Sequence, residues 1–162
     1  VRQQMKISSQ LAILLIVGIP ITEVQAKGNE PDSLCKELEI FLSSVQPDET
    51  HDLIMRTYWG AKLVGDDMII GSKSCDHNDY EPGKTLCTYL MQNSSTEFAG
   101  YNAKRILNCL TPEPGIGENL EIHSGSFSTT FGSPDRGALV ELEVASGNEP
   151  GEMVLHLQVD GY

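Results

Sequence analysis

Four cysteines, Cys35, Cys75, Cys87 and Cys109, constrain this chain more than any other feature of its sequence. An even number of thiols closes into two disulfides if the chain reaches an oxidising compartment. The first 26 residues imply that it does. Arg2 and Lys6 open them, residues 11–21 are apolar apart from Gly18 and Pro20, and Val24 and Ala26 set small side chains three and one residues before a cut. That is the layout of a secretory signal peptide cleaved after Ala26. An eleven-residue apolar run cannot cross a hydrocarbon core of about 30 Å, so no membrane anchor is expected after cleavage. The expected location is periplasmic or secreted. Residues 27–162 are 136 in number, enough for a single disulfide-stapled domain with one core.

Spacing alone leaves three pairings open, and helix faces narrow them. Leu34, Leu38, Phe41, Leu42 and Val45 recur at helical spacing over 33–46, with Asp32 or Ser33 as cap. Ala99, Ala103, Ile106, Leu107 and Leu110 do the same over 96–110, where Ser94 and Glu97 make an S-x-x-E capping box. Cys35 and Cys109 border these two apolar stripes, so they can meet across a helix–helix contact. The expected pairs are therefore Cys35–Cys109 and Cys75–Cys87.

The second pair encloses SCDHNDYEPGKTLC, the densest polar stretch of the chain. Its cysteines lack the close spacing of a thiolate zinc site. Oxygens alternate at Asp76, Asn78 and Tyr80, but Glu81 stands where a calcium loop needs glycine and Cys87 where it needs glutamate. No metal is expected. His77 reads as a solvated loop histidine rather than a catalytic base. A stapled loop carrying Asp76, His77, Asp79, Tyr80 and Glu81, with Asp67 nearby, would present carboxylates at low ordering cost.

Residues 51–59 read as a strand ended by Gly60, and residues 61–74 as two β-prone pieces about residues 65–67, which either continue a meander or turn as a hairpin at Gly65 and Asp66. Pro82 and Gly83 open a helix that pairs with 96–110 as a helical hairpin. After the Pro/Gly-rich residues 111–117, alternation dominates, most cleanly at 138–145 and 153–159. The expected fold class is α+β: an N-terminal helix, one or two short strands, a helical hairpin and a C-terminal antiparallel sheet of about three strands. Arg56, Tyr58 and Trp59 are residue types enriched at interface hot spots. Burial of the one tryptophan, with Tyr58 turned outward, is the expected arrangement; an exposed aromatic edge is the alternative.

Charge bears on partners. The chain carries 11 Lys and Arg against 23 Asp and Glu, a net −12. Losing the leader removes two positive charges and one negative, leaving −13. Such a chain repels nucleic acid and attracts basic proteins. No phosphate-loop, dinucleotide, nucleophile-elbow or HExxH motif occurs, so no catalytic residue and no cofactor are nominated, and nothing sets an oligomeric state. The expected function is that of an exported acidic binding protein, an inhibitor or immunity-type protein acting on a basic secreted enzyme. The alternatives are a structural or accessory cell-envelope protein and, less favoured, a small exported hydrolase.

Overall fold

The computed structural model describes residues 33–111, 117 and 119–162. The expected signal peptide, Asp32 as a helix cap and most of the Pro/Gly-rich segment lie outside them. In chain order the elements are α1 (Ser33–Ser44), β1 (Thr50–Val64), β2 (Asp67–Asp76), α2 (Glu81–Asn93), α3 (Ala99–Leu110), β3 (Gly125–Ser133), β4 (Arg136–Ser146) and β5 (Glu152–Gly161).

The strands form a single antiparallel sheet in the order β2-β1-β5-β4-β3. This corrects the expected architecture of one or two short strands apart from a C-terminal sheet of about three. The cause is a long-range pairing: β1 lies beside β5 over nine residues, with Leu53 opposite Leu157 and Met55 opposite Leu155. Leu142 and Val144 of β4 continue the same rows. Side chains alternate across a strand, so Leu53, Met55, Val140, Leu142, Val144, Leu155, Leu157 and Val159 all fall on one face, and all are buried.

The three helices cover that face. α1 turns Leu34, Leu38, Phe41 and Leu42 inward, α2 contributes Leu86 and Leu90, and α3 contributes Ala103, Ile106 and Leu107. These make one continuous core with the sheet. At about 1.5–3 kcal/mol for each large apolar side chain withdrawn from water, this layer is the main source of stability. The expected α2–α3 hairpin is replaced by a trio in which α1 packs against both, because both apolar stripes face it. α2 and α3 meet through Arg105, which donates to the Asn93 carbonyl and the Tyr89 hydroxyl.

The cysteines pair as Cys35–Cys109, tying α1 to α3, and Cys75–Cys87, tying β2 to α2, with Cα separations of 5.0 and 5.6 Å. No free cysteine remains among the described residues. Two disulfides mark a protein of an oxidising, extracellular compartment.

Local chemistry moves two boundaries. Gly60 does not end β1. With φ +149°, a value that L side chains rarely adopt, it sits in an irregularity between Trp59 and Lys62, and the strand runs on to Val64. Val64 stands opposite Asp67, so Gly65 and Asp66 make a two-residue hairpin turn with Gly65 at φ +63°. The Ser94 capping box does not form. α3 begins only at Ala99, Ser94 closes α2 by donating its backbone N–H to the Leu90 carbonyl, and Asn102 holds the linker through both backbone groups of Ser95.

Candidate functional site

The second face of the sheet is set by the same alternation. On it lie Asp52, Ile54, Arg56 and Tyr58 of β1, then Glu152, Val154, His156, Gln158 and Asp160 of β5. Glu141 and Glu143 of β4 and Ser126 and Ser128 of β3 complete it on one side, and Ser72, Ser74 and Asp76 of β2 on the other. All three helices pack on the opposite face, and no other described element lies over this one. Most of its side chains are exposed or half-buried. It carries six carboxylates, Asp52, Asp76, Glu141, Glu143, Glu152 and Asp160, against Arg56 and His156, with the Lys62–Glu149 ion pair over Tyr58 at its margin.

Four of the six carboxylates are engaged. Asp52 Oδ1 lies 2.6 Å from His156 Nε2. Asp160 accepts from the Thr50 hydroxyl and the Gln158 amide. Glu152 accepts from the backbone N–H groups of Asn148 and Glu149 and lies 3.8 Å from Arg56. Asp76 accepts from the Asn78 N–H. Glu141 and Glu143 differ: both are exposed, and neither has a hydrogen bond or ion pair to any described residue. They stand roughly 7 Å apart along β4, one strand in from the β3 edge, with Gln158 and His156 opposite them on β5.

The residues expected from the sequence separate into three groups. Arg56 and Asp76 come together on the open face. His77 and Tyr80 turn into the packing. Tyr80 stacks on His51 at 3.5 Å between ring centroids, meets Phe41 edge to face and donates to the Ser44 hydroxyl. His77 packs against Gly83, and its Nδ1 is buried without a partner among the described residues. Asp79 and Glu81 are exposed. The loop turns tightly, with Asn78 at φ +47° and Asp79 at φ +59°, closed by the Tyr80 N–H donating to the His77 carbonyl. Asp67 does not join it, because the length of β2 separates them; it sits at the β1–β2 hairpin tip.

Tyr58 and Trp59 exchange the places expected of them. Tyr58 is buried beneath the Lys62 ammonium, 4.3 Å from its ring centroid, while Trp59 is 44% exposed and lies across Gly71. Glu149 hydrogen-bonds Lys62 and raises its pKa above the ordinary lysine value. Beyond Trp59 the β1–β2 ribbon extends past the end of its pairing with β5. There Leu63, Val64, Met68 and Ile70 are all more than half exposed.

Asp52, Glu141, Glu143, Glu152, His156 and Asp160 escaped sequence reasoning as a group. The Glu141/Glu143 alternation within 138–145 was the one local signal; the others join them only through the strand register. A separate groove of about 660 Å³ lies between the start of α3 and residues 120–123, walled by Phe98, Tyr101, Leu120 and Ile122. Among the described residues, no three His, Cys, Asp or Glu side chains converge as metal ligands. Comparison with models of known protein families, with curated proteins and with solved structures finds no match to this chain.

Proposed function

We propose that the protein is an exported acidic binding protein of the periplasm, an inhibitor or immunity-type protein that takes a basic secreted enzyme on its open sheet face. The observation that carries this reading is the exposed pair Glu141 and Glu143, without a hydrogen bond or ion pair to any described residue, on a surface whose carboxylates outnumber its cations. A carboxylate already bonded within its own chain gives up that bond to meet a partner; these two give up only water. Opposite charge across an interface speeds encounter and fixes register. The sheet beneath is rigid, held by a continuous core and two disulfides, so little ordering entropy is lost on docking. Asp76 and the stapled turn behind it extend the acidic edge.

The test is retention. Oxidised protein immobilised on a resin should hold a basic protein from periplasmic or competitor-cell extract, identified by mass spectrometry. It should release that protein as NaCl rises from about 0.05 to 0.5 M, where the Debye length falls below about 5 Å. Retention that does not change over this range would overturn the electrostatic reading.

A further inference from the structure

The edge strand β2 is self-complementary, and we infer that it pairs with the β2 of a second copy, joining two sheets into one of ten strands. Among the described residues, β2 has a hydrogen-bonded strand neighbour on its β1 side alone. A free edge with apolar side chains is a template for another strand. Here the edge holds Met68, Ile69 and Ile70 in succession, with Met68 69% and Ile70 60% exposed, and Leu63, 72% exposed, directly across from Met68.

Charge selects the partner and the register. A two-fold axis through an antiparallel pair must match residues of the same face, so the axis has to pass a single residue of β2. Centred on Ile70, it sets Ile70 against its own mate, Met68 against Ser72, and Asp67 against Lys73 at both ends. Centred one residue earlier, Asp67 meets Gly71. Centred one residue later, Asp67 meets Cys75 and Asp66 meets Asp76, a like-charge clash. The Ile70 register alone pairs opposite charges, and it pairs them twice. Lys73 now reaches only the Ser94 carbonyl, a contact it can exchange for a carboxylate. The two open faces then lie on one side of the joined sheet and double the acidic surface.

Each copy carries a net charge of −12, so long-range repulsion opposes this pairing and salt relieves it. The self-pairing therefore tightens in the same salt that releases a basic partner, which keeps its outcome distinct from that of the proposed function. Sedimentation velocity on the oxidised protein is the measurement. An edge contact below the standard interface size should give a dimer with Kd on the order of 10–100 μM, tighter in 0.5 M NaCl than in 0.05 M. Ile70→Lys should weaken it about 100-fold, and Lys73→Asp about 10-fold. The exchange Asp67→Lys/Lys73→Asp should recover it, which a merely destabilised strand would not do. Circular dichroism checks that each variant folds. A wild-type protein monomeric at about 1 mM in high salt overturns the inference, as does a dimer indifferent to Ile70→Lys or one that the exchange fails to restore. A monomer whose hairpin variants lose the basic partner also overturns it, and assigns the hairpin to that partner instead.

Discussion

Removing Cys35–Cys109 should cost more than removing Cys75–Cys87, because the two bridges close loops of very different length. Their sequence separations are 74 and 12 residues. The chain-entropy relation converts these to about 4.5 and about 2.9 kcal/mol of stabilisation. The relation places both effects in the unfolded chain, and Leu34, Leu38, Ile106 and Leu107 belong to the core that the helices share with the sheet. For a domain worth about 5–15 kcal/mol in all, either loss is large. The variants Cys35→Ala/Cys109→Ala and Cys75→Ala/Cys87→Ala can be unfolded in urea and followed by circular dichroism. With m near 2 kcal/mol/M, the midpoint should fall by about 2 M in the first and about 1.5 M in the second. If the short-loop variant proves the less stable, or if neither midpoint moves by about 0.5 M, loop closure is not what these bridges contribute.

Phe41 is fully buried between α1 and the sheet, so Phe41→Ala should lose about 3–5 kcal/mol in the same urea assay; Leu63→Ala on the exposed ribbon should stay within about 0.5 kcal/mol of wild type. An added Cβ at Gly100 would overlap the backbone carbonyl of Ile122, which a side-chain rotation cannot relieve. Gly100→Ala should therefore destabilise by about 3 kcal/mol, read as a fall in Tm. Tyr80→Phe should cost about 1 kcal/mol through the lost bond to Ser44 and leave partner retention unchanged, because that side chain serves packing.

Local pattern carried the parts of the fold that are local. Apolar spacing in 33–46 and 96–110 located two helices and the stripes on which Cys35 and Cys109 meet. Alternation at 138–145 and 153–159 located β4 and β5. What it could not carry was pairing across the chain. Leu53 and Leu157 stand 104 positions apart, and nothing near either one says that they are neighbours. For that reason the early strands looked separate from the late ones. The same gap hid the open face, since Asp52, Asp76 and Glu143 share a surface only once β1, β2, β5 and β4 are in register. Tyr58 and Trp59 were misplaced for another reason: they face as alternation predicts, Tyr58 to the open side and Trp59 to the helix side, but Lys62 lies over the Tyr58 ring while Trp59 stays 44% exposed. Gly60 misled because a glycine in a strand can mean an end or an irregularity, and here it is the irregularity.

The open acidic face is tested most directly by moving its charge without changing the total. Glu141→Lys/Glu143→Lys reverses the two unpaired carboxylates on the uncovered side of the sheet. Glu39→Lys/Glu97→Lys reverses two exposed carboxylates, one on α1 and one in the α2–α3 linker, for the same net change. Retention of the captured basic protein should fall at least about 100-fold with the first pair and by less than about threefold with the second, since contact charges count for more than distant screened ones. Equal losses with both pairs would mean that net charge alone attracts the partner and that the sheet face is not where it binds.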